Sequence, residues 1–246
     1  PAIPVISGVA KGEAAVAITI AVFGLLLQSA KASALPKVVA GGEHSCAIFY
    51  GGFVKCWGYN LAGQLGYEDQ TNRGETAGQM GDNLPFVNLG TDRTAKSIAL
   101  GGEHTCAVLD DNSVKCWGRA QKGQLGNEDW MNDIGDQPGE MGDNLPVVNL
   151  GTGRTALAIA AGSEHTCALL DNGDVKCWGY NYYGTLGLGL GTSSDVEYIG
   201  GRPGEMGDSL PAVQLGTGLT VKAIVSGSNA YHSCVLFEDG VCHLRV

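Results

Sequence analysis

The sequence predicts an all-β fold of β-propeller-type repeats, three full blades plus a partial fourth in an open arc or incomplete ring, preceded by one N-terminal transmembrane α-helix. The first supporting observation is a repeated pattern: Glu-His-(Ser/Thr)-Cys followed by Val-Lys-Cys-Trp-Gly occurs three times, and a reduced copy follows. The second is composition, because 39 glycines beside short Val, Ile and Leu runs are typical of short strands and tight turns. The third is an uncharged apolar run near the N-terminus, which predicts the helix.

Residues 1–37 precede the repeats and carry the predicted helix, at about residues 14–30. This run has no charged residue, and as a helix it would be about 25 Å long, near the lower limit for crossing a bilayer. An Ala-Ser-Ala sequence at residues 32–34 matches a signal-peptidase site, so the segment has the features of an export signal. We interpret it as an uncleaved signal that anchors the chain in the bilayer, with Phe23 and Leu26 as partner contacts. A buried core helix is the alternative.

The repeat domain is predicted to extend over residues 38–246. Each unit begins with an apolar strand, continues through a hairpin and a Gly-x-Leu-Gly turn, and then enters a polar insertion that ends in Met-Gly-Asp-(Asn/Ser)-Leu-Pro. A last strand, such as residues 147–151, leads to the next unit, which gives the four short strands of a propeller blade. The predicted units are residues 38–97, 98–158, 159–222 and 223–246.

Each hairpin is predicted to place two cysteines opposite each other. In the third unit, a three-residue loop ending in Gly173 favours a type I turn closed by a left-handed residue, and counting outward from it pairs Cys167 with Cys177. Directly opposed strand residues have Cβ atoms about 4.5–5.5 Å apart, which a disulfide can bridge after a small adjustment. Pairing within units uses all eight cysteines. The predicted disulfides are Cys46–Cys56, Cys106–Cys116, Cys167–Cys177 and, with a less certain register, Cys234–Cys242.

The sequence leaves two other uses of the cysteines open. Eight buried thiols in a reducing compartment would also fit the sequence. Zinc is the other, since a histidine stands two residues before the first cysteine of a unit and shares its strand face. Structural zinc sites, however, draw on cysteines about two to four residues apart. We therefore expect no metal, and we expect the repeated histidines to hydrogen-bond to backbone within their own units. These histidines are His44, His104 and His165.

The Gly-Gly-x-His-(Ser/Thr)-Cys-Ala opening, the Val-Lys-Cys-Trp-Gly strand and the Gly-Gln-Leu-Gly turn resemble the repeats of the regulator of chromosome condensation family, over residues 38–246. The resemblance implies a propeller, which in that family has seven blades. This chain has fewer units, and acidic insertions at residues 67–81, 127–142 and 188–207 lengthen them to near 60 residues. The resemblance also implies two alternative activities: guanine-nucleotide exchange on a small GTPase and, as in secreted members, binding or inhibition of another protein.

Composition and motifs favour a binding protein over an enzyme. No catalytic constellation or phosphate-binding loop is recognisable in the sequence, so we predict no catalytic residue, cofactor or metal. The net charge of −10 disfavours nucleic acid as a partner, because nucleic-acid binding requires clustered Lys and Arg. Trp130 and Met131, in the second insertion, are candidate partner contacts because a large aromatic residue in a polar loop is typical of interfaces. The insertion carboxylates are interpreted as a solvated surface.

Together these observations predict a non-enzymatic, membrane-anchored protein-interaction or scaffold module. Its repeat domain is expected in an oxidising space, because disulfides persist in such compartments. The expected partners are protein subunits of a larger membrane complex and, through residues 14–30, the lipid bilayer. A photosynthetic complex, with the repeats in the thylakoid lumen, is the narrower version of this hypothesis. The alternatives are a nucleotide exchange factor and a secreted binding or inhibitor protein whose mature form lacks residues 1–34.

Overall fold

A computed structural model of the chain describes residues 37–190, 197–240 and 242–245. All of them belong to one compact domain, Pro36–Val246. The predicted N-terminal helix at residues 14–30, with Phe23 and Leu26, lies outside the described residues and stays a prediction. Across the described ranges, no helix has the length and apolar character needed to cross a membrane.

The described residues form an all-β domain of four antiparallel sheets, which confirms the predicted fold class for the repeats. Short Val-, Ile-, Thr- and Ala-containing runs between glycine turns form the strands. The first sheet contains β1 (Lys37–Ala40), β2 (His44–Ile48) and β3 (Val54–Gly58). The second contains β4 (Ala95–Leu100), β5 (His104–Leu109) and β6 (Val114–Gly118). The third contains β7 (Ala156–Ala161), β8 (His165–Leu170), β9 (Val175–Tyr180) and β10 (Tyr198–Ile199). The fourth contains β11 (Val221–Ser226), β12 (Ser233–Phe237) and β13 (Cys242–Arg245).

The central hairpin of the third unit has the predicted register. Gly173 has a φ of +88°, the left-handed conformation expected for the last loop residue. The Leu170 N–H donates to the Asp174 carbonyl at 2.8 Å, which closes the loop. Counting outward then aligns Cys167 with Cys177 across the β8–β9 pair. The same arrangement recurs in the first and second units, so a short local loop determines the position of each cysteine pair.

The prediction of four strands in every unit was wrong for the first two units. Only the third sheet among the described residues has a fourth strand, β10, and it lies within the insertion at residues 188–207 rather than at the predicted position after the Leu-Pro pair. The first two units have a single β-bridge at the equivalent place, Gly58–Arg73 and Gly118–Ile134. Residues 147–151, predicted as a last strand of the second unit, are not a strand, although the Val148 N–H donates to the Val114 carbonyl at 2.8 Å. Two local features oppose a regular ladder: Pro146 has no N–H to donate, and the Asn149 side chain accepts from the Gly151 N–H at 3.1 Å.

Repeated apolar residues fill the space between neighbouring sheets and join them in one core. The leucines of the Gly-x-Leu-Gly turns, Leu65, Leu125 and Leu186, are fully buried. Gly66 in the first turn approaches the next unit so closely that an added Cβ would lie 2.8 Å from Trp117 Nε1. The glycine is therefore required for packing as well as for its positive φ of +74°. Each unit is thus completed by side chains of its neighbour.

Candidate functional site

Three of the predicted disulfides are present, one in each of the first three sheets. The two Cα atoms of each pair are 4.1 Å apart, the close approach typical of an antiparallel pair that does not exchange backbone hydrogen bonds. In the first unit the N–H and the carbonyl of Cys56 instead contact the Tyr67 hydroxyl, each at 2.9 Å. All six sulfurs belong to buried residues. These disulfides are Cys46–Cys56, Cys106–Cys116 and Cys167–Cys177.

The fourth predicted pair has a different backbone register. Cys242 lies opposite Leu236, and Cys234 lies opposite Arg245, with an irregularity between the two alignments. The side chain of Cys242 lies outside the described part of the chain. The Cys234–Cys242 disulfide therefore stays a prediction.

The repeated histidines connect neighbouring units through a hydroxyl of the next unit. The prediction that they bond backbone within their own units was wrong, because the imidazole projects across the interface toward the next second strand. The three contacts of Nε2 with a hydroxyl oxygen are His44–Thr105 at 2.8 Å, His104–Thr166 at 2.9 Å and His165–Ser233 at 2.8 Å.

A turn carbonyl completes the first two of these interfaces. The Gln64 carbonyl accepts from the Thr105 hydroxyl at 2.9 Å and from Trp117 Nε1–H at 3.1 Å. Because the threonine hydroxyl donates to this carbonyl, it accepts from His44 Nε2–H, which assigns the proton to Nε2. The Gln124 carbonyl accepts from the next Thr and Trp in the same way. Trp117 and Trp178 are therefore interface residues.

Burial keeps these histidines neutral. Desolvation lowers the pKa of His44 to about 4, of His104 to about 3 and of His165 to about 4, from an ordinary value of 6.5. For His104 the two other histidines add to this effect. A proton on any of them would place a charge in a buried interface, so the contacts between units weaken in acid.

Buried lysines connect the second strand of the hairpin to the insertion. Lys115 Nζ donates to the Leu89 and Gly142 carbonyls, at 3.0 and 2.8 Å. Lys176 repeats this contact in the third unit. Burial lowers the pKa of both amines. Gly142 begins the short 3-10 helix Gly142–Asn144, so the lysine explains why the Met-Gly-Asp motif accompanies each Val-Lys-Cys-Trp-Gly strand.

The loops that open the four units lie side by side at one end of the sheets. The Gly42 N–H donates to the Gly101 carbonyl at 2.9 Å, and the Gly102 N–H donates to the Ser163 carbonyl at 3.0 Å. The Ser163 N–H continues the series to the Ala230 carbonyl at 2.8 Å. These main-chain contacts make one continuous surface from the first unit to the fourth.

A polar depression runs along this surface. Arg119 hydrogen-bonds to Glu103, which raises the pKa of the guanidinium. Glu43 and Glu164 form no salt bridge within the described residues, so the depression carries more negative than positive charge. The polar side chains that line it are Glu43, Glu103, Arg119, Gln124, Glu164 and Asn229.

Four tyrosines of the third and fourth units contact one another, and the N–H of one of them, Tyr180, donates to the carbonyl of Glu164, which lines the depression. Tyr180 stacks on Tyr182 with ring centroids 6.2 Å apart, and Tyr183 meets Tyr182 edge-on at 5.0 Å. Tyr231 contacts the rings of Tyr180 and Tyr183 at 6.2 and 6.3 Å. We call Tyr180, Tyr182, Tyr183 and Tyr231 the tyrosine cluster.

Comparison with known proteins agrees with the repeat pattern and the sheets. A sequence profile described as Regulator of chromosome condensation (RCC1) repeat matches residues 37–64, 95–124 and 157–185, and a second profile of that description matches residues 111–169. The chain therefore contains RCC1-type repeats.

Relatives of this RCC1-repeat chain are longer than the chain itself. It is 31% identical over 193 residues to the ultraviolet-B receptor UVR8 of Arabidopsis thaliana. This alignment covers 78% of this chain and 40% of the receptor. Prp20p of Saccharomyces cerevisiae, a protein that binds Gsp1p and histones, has a similar fold, with a TM-score of 0.58 and 19% identity over 84% of this chain and 42% of Prp20p. Human WBSCR16 gives a TM-score of 0.57 and 20% identity over 84% and 46%. The chain spans less than half of each.

Trp130 and Met131 lie in the second insertion of the RCC1-repeat chain. Trp130 contacts the ring of Tyr198 in the next unit at 6.3 Å and remains 41% exposed. Met131 is 72% exposed. The indole therefore packs on a neighbouring unit with one part of its surface, and its role as a partner contact stays a prediction.

Several insertion carboxylates have a structural role that the sequence did not reveal. Glu68 Oε1 accepts from the N–H groups of Gly139 and Met141, at 3.0 and 2.9 Å. Asp133 accepts from the Ala120 N–H at 2.8 Å, and burial raises its pKa. The interpretation of the insertions as only a solvated surface was therefore wrong. Sequence reasoning missed these contacts because the backbone partners of Glu68 lie more than 70 residues away. No group of three or more potential metal ligands occurs among the described side chains.

Proposed function

We propose that this RCC1-repeat chain is a non-enzymatic protein-interaction module that acts in an oxidising compartment. The observation that supports this proposal most strongly is the set of three buried disulfides, one in each of the first three sheets. Such disulfides form and persist in secreted, lumenal or periplasmic spaces and are rare in the cytosol. Each closes a hairpin whose register is already determined by its loop, so the disulfide stabilises a sheet without changing its geometry.

Rigid contacts between units support a role in binding. The first two interfaces each combine a histidine–hydroxyl contact with a carbonyl shared by a hydroxyl and an indole N–H. A rigid framework of this kind presents loops in fixed positions, which is how many repeat proteins recognise partners. The loops here expose carboxylates and tyrosines, and tyrosine is enriched at protein interfaces.

The membrane part of the proposal rests on residues 14–30 and their export-type flanks. We infer that this segment anchors the repeat domain to a membrane complex, with Phe23 and Leu26 against neighbouring subunits or lipid. A thylakoid complex is the specific case that fits a retained lumenal signal. Trp130 and Met131 are proposed as further contacts with subunits of that complex.

Isolation of the chain from its native source tests this proposal. The chain should stay with membranes through an alkaline carbonate wash and should co-elute, after mild detergent extraction, with other subunits to which it cross-links. A monodisperse free monomer in the detergent extract would contradict the complex. A mature N-terminus at Leu35 would contradict the anchor and favour the secreted alternative.

A further inference from the structure

The tyrosine cluster is an unusually exposed aromatic surface for a domain of this kind. Tyr182, Tyr183 and Tyr231 are 48%, 71% and 46% exposed, although their rings contact one another. Contiguous exposed aromatic area is uncommon on monomeric proteins and often marks a binding surface. Tyrosine suits this role because it offers a large, rigid contact area with few rotatable bonds.

The repeat fold does not require these tyrosines. Tyr182 and Tyr183 occupy the two positions before the glycine of the Gly-x-Leu-Gly turn. The same positions hold Leu61 and Ala62 in the first unit, and Gln121 and Lys122 in the second. All three turns are closed by the same backbone contact, from the N–H of the second glycine to the carbonyl of the first. The two aromatic residues are therefore additions to a turn that forms without them.

The cluster already binds one cation of its own chain. Lys122 Nζ lies 5.1 Å from the centroid of the Tyr180 ring and 3.5 Å from Glu197 Oε1. An ammonium group placed over an aromatic face and beside a carboxylate is held by both the ring quadrupole and the charge. This contact shows the kind of chemical group that the surface accepts.

Further negative charge lies next to the cluster without a partner of its own. The Tyr180 N–H donates to the Glu164 carbonyl at 2.9 Å, which places Glu164 beside the cluster. Glu164 and Glu43 both line the polar depression, and neither forms a salt bridge within the described ranges. Burial, followed by Tyr183, Glu197 and Glu164, raises the pKa of Tyr180, as expected where the surroundings disfavour a further negative charge.

We propose that the tyrosine cluster, together with Glu164 and Glu43, binds an arginine-bearing segment of a protein partner. The proposal rests on the protein-interaction function proposed above and adds the site and the chemistry of the partner. A guanidinium can stack on a tyrosine ring while its edge donates two hydrogen bonds to a carboxylate. The net charge of −10 would favour the approach of a basic segment.

Fluorescence anisotropy with a labelled probe peptide tests the site. The probe contains three arginines in a Gly-Ser background, and a matched peptide carries citrulline, which keeps the side-chain shape and removes the charge. The oxidised full chain should bind the arginine peptide in a saturable way, about tenfold more tightly than the citrulline peptide. Binding should weaken as salt increases, because exposed charges are screened.

Variants of the chain test whether the arginine peptide binds at the tyrosine cluster. The double variant Tyr182→Ala/Tyr183→Ala should bind the arginine peptide about tenfold more weakly, and Glu164→Gln should weaken it about threefold or more. Leu61→Ala, a change at the position equivalent to Tyr182 that is also exposed at 55%, should leave binding unchanged. Thermal unfolding of each variant should match the parent chain, since these side chains are not part of the core.

Three results would overturn the proposal. They are equal binding of the arginine peptide by the parent chain and the double variant, equal binding of the arginine and citrulline peptides, and absence of saturable binding at low salt. Equal binding of the two peptides would assign the tyrosines to an uncharged partner. Cross-linking in the native complex distinguishes the tyrosine site from the broader function. If partners cross-link only to other surfaces, the proposed site is contradicted, while the proposed interaction function still stands.

Discussion

Trp117 and Trp57 occupy the same position in neighbouring units, yet their surroundings differ. Trp117 is fully buried and donates to the carbonyl of Gln64 in the preceding unit. Trp57 is partly exposed, and no unit precedes it among the described residues. The neighbouring hydroxyl position differs in the same way, since Thr105 is buried and Ser45 is partly exposed. The difference shows that the repeated motif is completed by the preceding unit, as expected for repeat proteins stabilised by nearest-neighbour interfaces.

The largest expected effect is that acid destabilises the buried interfaces between units. The pKa values of His44, His104 and His165 are about 4, 3 and 4 in the folded chain and 6.5 when unperturbed. As pH falls from 6.5 to 4, the unfolded state binds more protons than the folded state, so the free energy of unfolding decreases. Each histidine contributes about 1.4 kcal/mol per pH unit in this range. Urea unfolding measured from pH 7.5 to 4.5 checks this.

A matched variant isolates the histidine contribution. His104→Gln keeps a neutral side-chain donor that does not titrate, so its unfolding free energy should depend less steeply on pH than that of the parent chain. Equal slopes for the two proteins would contradict the assignment of neutral, buried imidazoles to the interfaces.

The next effect concerns the two tryptophans. Trp117→Ala should decrease the free energy of unfolding by about 3–5 kcal/mol, because it opens a buried cavity and removes the donor to the Gln64 carbonyl. Trp57→Ala should cost less, about 1–2 kcal/mol, because a smaller part of its indole is removed from water. Chemical denaturation of both variants measures the difference. Equal losses would show that the tryptophans act within their own units and not across the interface.

A smaller effect is expected from removing a single hydrogen bond between units. Thr166→Val keeps the size of the side chain and removes the hydroxyl that contacts His104 and the Gln124 carbonyl. We expect a loss of about 2 kcal/mol, since buried polar groups lose their partner. Ser45→Ala, the corresponding change at a partly exposed position, should cost less than about 0.5 kcal/mol. A similar loss in both variants would contradict the difference between the buried position and the partly exposed one.

The parts of the fold that the sequence predicted are those determined by neighbouring residues. The loop ending in Gly173 determines the register of β8 and β9, so the pairing of Cys167 with Cys177 followed from counting alone. The contact between His44 and Thr105 joins residues 61 positions apart, and no local pattern indicates which hydroxyl the imidazole meets. The predicted strand at residues 147–151 was wrong for a local reason, because Pro146 has no N–H to donate and the Asn149 side chain accepts from the Gly151 N–H.

The candidate binding surface shows the same limit. Trp130 can be recognised in the sequence because one large aromatic residue interrupts a polar loop. The tyrosine cluster cannot, because Tyr231 joins it from the fourth unit and the cation over Tyr180 comes from the second unit. Only the packing of adjacent units brings these residues together. Residues that repeat from unit to unit build the interfaces between units. The proposed binding residues of the tyrosine cluster stand at positions where the units differ.

Peptide mapping of the protein from its native source is the most direct test of the central claim, that disulfide-closed sheets form a binding module in an oxidising compartment. Free thiols are alkylated during lysis, and the digest is analysed without reduction. We expect linked peptides for Cys46–Cys56, Cys106–Cys116 and Cys167–Cys177. Alkylated thiols at all six positions would contradict it and favour the nucleotide-exchange alternative in a reducing compartment.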